Sequence, residues 1–319
     1  MTVGLRSRNR QPSFSCLLGA LLLDLAVGEP PARLHPVVWI GAAVARLEAG
    51  RPKGPRAQLR HGMVHVAIIT LSAALAGVAI GRATRAWSGL APALLEVLVL
   101  KTTFSLRGLV EAARCVERSL DAGDLDGARV AVRALVSRDP SRLDGPLLAS
   151  ATVESLAENL CDSLVAPLLY YVLGGLPAAL AFRAVNTMDA MIGYRGEYEH
   201  SGKAAARLDD LLNFLPARLS GGLLVIAAAL AGGDVGGAWR TLRRDHGRTA
   251  SPNAGWPMSA MAGALGVCLE KPGVYRLAAP LPPSDPAAID HAIQILRAAT
   301  LLSLPAWWAL ARARRGRHR

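Results

Sequence analysis

The stretch Glu154-Ser155-Leu156-Ala157-Glu158-Asn159-Leu160-Cys161-Asp162 runs directly into Leu164-Val165-Ala166-Pro167-Leu168-Leu169-Tyr170-Tyr171-Val172-Leu173. On a helix, Glu154, Glu158 and Asp162 recur at i, i+4 and i+8; at about 100° per residue they fall within an arc of roughly 80°. Like charges stacked this way repel. A carboxylate ladder feeding an apolar segment is therefore poorly suited to stabilising a fold. It suits a divalent cation, or a polar ligand with several donors, at a membrane surface. The competing reading is a solvated acidic face on a connecting helix.

Composition favours the membrane. Of 319 residues, 52% are hydrophobic but only 5% aromatic, so the apolar content is Leu, Ala and Val. Mean hydropathy is +0.30, high for a soluble chain of this length. The formal charge of +12 gathers in Arg6, Arg8 and Arg10, in Arg51, Lys53, Arg56 and Arg60, and in Arg312, Arg314, Arg315, Arg317 and Arg319. Basic clusters flanking apolar segments mark cytoplasmic loops that meet anionic headgroups. No aromatic interleaving or known motif supports nucleic-acid binding. Cys16, Cys115, Cys161 and Cys268 lack CxxC spacing, which argues against zinc and a disulfide framework and for small buried residues.

Outward from the ladder, Met63–Ile80, Phe214–Gly232 and Ile293–Ala311 read as spans, and Gly174-Gly175 with Pro177 interrupts the apolar run after the ladder. Phe14–Val27 is short for a span and reads as an uncleaved first segment, paired with His35–Leu47 as a hairpin or re-entrant element. Between Ser105 and Asp139 the period becomes amphipathic, with Leu109, Ala113 and Val116 in one helix and Ala128 and Val132 in the next. The fold expected is all-α: a polytopic helical membrane protein with an amphipathic helical hairpin and polar loops at one membrane face. The organisation expected is one integral domain over 1–319, an extramembrane hairpin at 105–140 and basic tails at 1–13 and 312–319.

Other polar clusters border the apolar segments. Asn186 and Asp189 cap a helix or hold a ligand; Asp209 and Asp210 are solvated or bind a cation, and Asn213 shares a helical face with Asp209. Charges at mid-membrane depth cost roughly 2.5–3.5 kcal/mol on insertion scales, so these groups have a use. Carboxylates with amides suit Mg²⁺, and Arg195, Arg207 and Arg218 suit phosphate or carboxylate. GxxxxGK[ST], GxGxxG, GxSxG and HExxH are absent. Asp124-Leu125-Asp126-Gly127-Ala128-Arg129 lacks the spacer of the CDP-alcohol phosphotransferase signature.

Ordered motifs from about Asp24 to Val267 make the chain similar to the adenosylcobinamide-phosphate synthase family, the CbiB-type membrane enzymes of cobalamin biosynthesis. The resemblance rests on Gly28-Glu29-Pro30-Pro31 with His35-Pro36, on Lys101-Thr102-Thr103-Phe104 with Leu106-Arg107, and on Arg138-Asp139. It continues through Glu154-Ser155-x-x-Glu158-Asn159-x-x-Asp162 and Asn186-Thr187-x-Asp189-x-Met191-x-Gly193-Tyr194. It ends with Arg207-Leu208-Asp209-Asp210, Asn213, Pro216-Ala217-Arg218 and Ser251-Pro252-Asn253-Ala254-Gly255. The chain departs from the family at Met258, where an acidic residue is common.

The resemblance implies ATP-dependent amide formation between adenosylcobyric acid and aminopropanol phosphate or a related amino alcohol, with Mg²⁺ as cofactor. Carried over through these motifs, catalytic roles fall on Glu154, Glu158, Asn159, Asp162, Asn186 and Asp189. Substrate binding falls on Lys101, Arg107, Tyr194, Arg207, Asn213, Arg218, Ser251 and Asn253, together with Arg195, and metal binding on Glu158, Asp162, Asp189, Asp209 and Asp210. The implied partners are the corrinoid, the amino-alcohol phosphate, ATP, the lipid bilayer and other enzymes of the cobalamin pathway, but no nucleic acid. The implied location is the inner (cytoplasmic) membrane, multi-pass. The alternatives are another Mg-dependent membrane transferase and a non-enzymatic corrinoid-pathway component.

Overall fold

A computed structural model describes residues 13–317, so Arg6, Arg8, Arg10 and Arg319 of the basic tails lie outside the described residues. The helices are α1 (Phe14–Val27), α2 (Pro36–Ala49), α3 (Pro55–Ala83), α4 (Ala91–Lys101), α5 (Leu106–Asp121), α6 (Leu125–Val132) and α7 (Gly145–Leu160). They continue with α8 (Ala166–Ile192), α9 (Lys203–Leu212), α10 (Phe214–Leu230), α11 (Val235–Asp245) and α12 (Gly255–Leu265). A two-stranded antiparallel hairpin, β1 (Leu269–Lys271) and β2 (Tyr275–Leu277), precedes α13 (Pro286–Arg317). Starts are set locally. Proline opens α2, α3, α4 and α7, where its missing N–H is no loss. Asp124, Asp144 and Asp234 cap α6, α7 and α11 through backbone N–H groups. The stretch around Asp124 is thus a helix cap.

Three helical runs are long and apolar enough to cross a membrane: Pro55–Ala83, Gly145–Ile192 and Pro286–Arg314. The span expected at Phe214–Gly232 differs. Helix α10 has 17 residues and reaches spanning length only together with α9, across a 49° bend. Pro216 explains the break, since it cannot donate to the Leu212 carbonyl as a continuing helix requires.

The chain divides into two compact units. Of the described residues, the first comprises 13–104, 167–206 and 307–317. In it α1 packs chiefly on α4, and α2 on α3, so α1 and α2 do not form the expected hairpin. Helix α8 breaks at Gly175, whose φ of 70° and ψ of −162° are non-helical. Helix α3 approaches that break closely, since a Cβ on Gly77 would lie 2.6 Å from the Pro177 nitrogen; near its start it also meets the turn before α9, where a Cβ on Gly62 would lie 1.9 Å from the Ser201 carbonyl. Val64, Ile68, Leu71 and Leu75 form one exposed file along α3, and only 17% of its most apolar window is buried. Such a file is stable in hydrocarbon and costly in water.

The second unit comprises residues 105–166 and 207–306. Helices α5 and α6 pack against each other and on α7, burying Leu109, Ala113, Val116, Ala128 and Val132. Every α7 residue from Leu148 to Ala157 is buried. Helices α11 and α12 cross at two glycines, where a Cβ on Gly263 would sit 2.3 Å from the Gly237 carbonyl. The hairpin of β1 and β2 was not expected from periodicity; its turn, Lys271-Pro272-Gly273-Val274, has Gly273 at φ 72° and carries a Pro-Gly signature. Cys16, Cys161 and Cys268 are buried as expected of free thiols, but Cys115 is exposed on the polar side of α5.

Candidate functional site

Helix α7 organises the site in the second unit. Its Glu154 is buried and held on three sides: Ser150 Oγ donates to Oε1 at 2.8 Å, Tyr275 Oη donates to Oε2 at 2.8 Å, and Arg138 Nη2 lies 3.8 Å from Oε2. Ser150 Oγ also accepts the Glu270 N–H at 2.7 Å, so the β-hairpin is docked onto α7 at this carboxylate. Burial, with the charge of Glu154 beside it, pushes the Tyr275 phenol up, so the phenol stays a donor.

One turn on, Glu158 is half-buried and faces the charges of Glu154, Lys271 and Asp209. Among the described residues none donates a hydrogen bond to it. The next step of the ladder departs from expectation. Asp162 falls in a π-helical turn, Cys161–Val165, whose wider winding breaks the i+4 file; its charge acts on Cys161. Asn159 is engaged within its own helix, donating to the Ser155 carbonyl at 2.9 Å and accepting from Ser163 Oγ at 2.8 Å.

Helices α9 and α10 bring a second group. Asn213 Nδ2 donates to Asp209 Oδ2 at 2.9 Å, both buried, and Cys161 Sγ lies 3.7 Å from Asn213 Oδ1. Asn253 ties the Ser251–Gly255 loop to both helices: its Nδ2 donates to the Asp210 carbonyl at 2.7 Å, and its Oδ1 accepts from Arg218 Nη1 at 3.0 Å. Ser251 Oγ accepts the Asn253 N–H at 3.2 Å and its side chain also meets Asp210. The Arg218 guanidinium sits 3.5 Å over the Phe214 ring and 4.7 Å from that of Trp256. Its Nη1 is engaged; Nε and Nη2 carry no hydrogen bond among the described residues. Arg207 is exposed and acts on Asp210. Arg107 is half-buried and pairs with Glu111 at 2.6 Å along α5. Gly255 is required by the loop, since a Cβ there would lie 2.0 Å from the His246 carbonyl. Met258 is buried with Sδ 3.9 Å from Tyr275 Oη.

The remaining residues singled out belong to the first unit. Asn186 and Asp189 lie inside the last two turns of α8, so neither caps a helix start; Asn186 Oδ1 accepts from Arg183 Nη1 at 3.2 Å. Gly193 abuts Asp189 so closely that a Cβ would lie 2.0 Å from its Oδ1. Tyr194 and Arg195 are exposed in the turn that follows. Lys101 is 3% exposed, with Nζ 3.1 Å from Asp24 and 2.7 Å from Glu29. Glu29 in turn meets His35 Nε2 at 2.7 Å.

Three residues of this chemistry were missed by sequence reasoning. Arg138 carried a signal, standing in a quoted motif. Tyr275 and Lys271 lie beyond the resemblance and are brought in only by the hairpin.

Glu158 and Asp209 carry hard oxygen donors of the kind Mg²⁺ takes, but among the described residues no three of the acids expected to bind metal (Glu158, Asp162, Asp189, Asp209 and Asp210) bring ligand atoms within 4.8 Å of one another. Spanning helices and a buried carboxylate cluster flanked by Arg and Lys define a helical membrane protein with a polar site built on α7. The sequence model described as CobD/Cbib protein matches residues 17–302. A cobalamin biosynthesis protein CobD of Dehalococcoides mccartyi is 41% identical over 282 residues, covering 87% of this chain and 90% of the relative. That of Rhodobacter capsulatus is 44% identical over 264 residues, covering 80% and 81%. That of Geobacter metallireducens is 39% identical over 301 residues, covering 90% and 93%. No solved structure matches. The chain belongs to the CobD/Cbib family.

Proposed function

We propose that this protein acts in cobalamin biosynthesis as an adenosylcobinamide-phosphate synthase of the inner membrane. It joins a propionate carboxylate of adenosylcobyric acid to the amine of aminopropanol phosphate, or a related amino alcohol, at the expense of ATP. The observation that carries the reading is the gathering of Glu158 with Glu154, Asp209 and Lys271 in a chain of this family.

The chemistry needs an activated carboxyl group, a held amine and neutralised phosphates. Transfer of the terminal phosphoryl group of ATP to the propionate gives an acyl phosphate and releases ADP; the amine then attacks the acyl carbon, and phosphate and a proton leave. Glu158 and Asp209 are the ligands proposed for Mg²⁺, with Asp162, Asp189 and Asp210 assigned through the resemblance; bound with ATP, the ion supplies charge neutralisation at the phosphates. Arg218, braced by Phe214, Trp256 and Asn253, presents its remaining N–H groups to an anion such as the amino-alcohol phosphate. Arg138 and Tyr275 hold Glu154 in place beside Glu158.

The test is consumption of adenosylcobyric acid by the purified chain, with dependence on ATP, Mg²⁺ and aminopropanol phosphate. Glu158→Gln and Asp189→Asn each abolish turnover on this reading. Activity retained in both removes the metal-site assignment; no corrinoid turnover by the unaltered chain removes the reaction, in favour of another Mg-dependent transferase or a non-enzymatic pathway component.

A further inference from the structure

The first unit holds a group of metal-ligating side chains that the proposed reaction does not use. Glu48 lies in the last turn of α2; His61 and His65 are one turn apart near the start of α3. One ligand atom from each lies within 4.8 Å of the other two. Their rings and carboxylate are largely enclosed: the Glu48 side chain is 10% exposed and that of His61 16%. The two imidazoles are in contact, with ring centroids 3.7 Å apart.

Two atoms of this group are buried with no hydrogen-bond partner among the described residues: Glu48 Oε1 and His65 Nδ1. A buried carboxylate oxygen and a buried ring nitrogen rarely go without a partner. Their surroundings are otherwise organised to hold them. Ser201 Oγ donates to Glu48 Oε2 at 3.1 Å, fixing the carboxylate while leaving Oε1 free of hydrogen bonds. His61 Nε2 lies 3.2 Å from the Leu47 carbonyl and 3.9 Å from Glu48 Oε1, so the ring carries its proton on Nε2 and its lone pair on Nδ1. The nearby cation is Arg51, whose Nη1 is 3.7 Å from Oε2; it is drawn off toward Glu197 and lies over the Tyr198 ring.

The geometry points to a binding site for a divalent transition-metal ion, of the Zn²⁺ class, formed by Glu48, His61 and His65. Two imidazoles with one carboxylate favour such an ion over Mg²⁺, which prefers an all-oxygen shell. Tetrahedral Zn²⁺ with bonds of about 2.0–2.1 Å draws its ligand atoms to roughly 3.4 Å apart, a closure of at most about 1.4 Å from the 4.8 Å within which they lie, which side-chain rotation supplies. Water completes the shell. The ion would tie the end of α2 to the start of α3 across the Arg51–Lys53 loop.

The test uses the full chain without a histidine tag, in detergent, stripped with chelator and titrated with Zn²⁺. One equivalent binds, and excess Mg²⁺ does not displace it. Glu48→Gln and His65→Ala each weaken binding at least tenfold, and Ser201→Ala, which loosens the carboxylate, about tenfold. His291→Ala leaves it unchanged. Absence of stoichiometric Zn²⁺ binding, or an affinity in Glu48→Gln and His65→Ala equal to that of the unaltered chain, overturns the site. If either variant fails to fold, X-ray absorption of the Zn²⁺-loaded unaltered chain decides: two imidazoles in the first shell support the site, and fewer overturn it.

Discussion

Tyr275 donates a 2.8 Å hydrogen bond to Glu154, 121 residues earlier in the chain, and so joins the tip of a β-hairpin to the carboxylate ladder of α7. Tyr275→Phe removes that donor but keeps the ring. Loss of a hydrogen bond to a buried charged group costs about 1.5–3 kcal/mol. A lower melting temperature and a fall in turnover are expected together. Turnover unchanged beside a lowered melting temperature would make the contact purely structural.

Lys101 is expected to act through the fold. Nζ lies between Asp24 and Glu29, both within 3.1 Å, so its removal takes the ammonium away from the fully buried Asp24 carboxylate. Breaking such a pair costs about 3–5 kcal/mol. Lys101→Met therefore lowers thermal stability sharply. A rise in KM with an unchanged melting temperature would return Lys101 to substrate binding.

Gly193→Ala tests the placement of Asp189. The added methyl meets both Asp189 Oδ1, at 2.0 Å, and the Asp189 carbonyl, at 2.6 Å, so rotation of the side chain alone does not relieve it. A drop in kcat of tenfold or more is expected in protein that still inserts and melts cooperatively. Full activity would show that the Asp189 carboxylate tolerates displacement.

Asp245 gives stability a pH dependence. Burial alone would raise its pKa, but hydrogen bonds from Arg244 and from the Ala278 N–H, with the charges of Arg244 and Arg248, outweigh burial and hold it below the usual carboxylate range. A depressed native pKa contributes stability that is complete above the unfolded value, about 3.9, and lost as pH falls through the native value. The unaltered chain should lose melting temperature as pH drops below about 4. Asp245→Asn should melt lower at pH 7 and lose less on acidification. Parallel curves for the two proteins would refute the linkage.

Much of this was legible one segment at a time. The apolar runs fixed α3 and α13, Gly175 and Pro177 marked the break in α8, and the i+4 spacing of Asp209 and Asn213 became a hydrogen bond. Other features escaped for definite reasons. The π-turn at Cys161–Val165 changes the winding without a side-chain signature, so Asp162 left the ladder. The bend between α9 and α10 hung on one missing N–H, at Pro216, inside an apolar run that otherwise read as a single span.

Sequence alone determined that the chain is helical, membrane-embedded and a carrier of acid-rich motifs, because hydropathy, periodicity and motif order are properties of neighbouring residues. Tertiary structure alone decided which charges meet: Glu154 with Tyr275 and Arg138, Lys101 with Asp24 and Glu29, Glu48 with His61 and His65. Those pairings depend on chain closure over tens to more than a hundred residues, and a charge in a buried setting takes whichever partner packing delivers within about 4 Å.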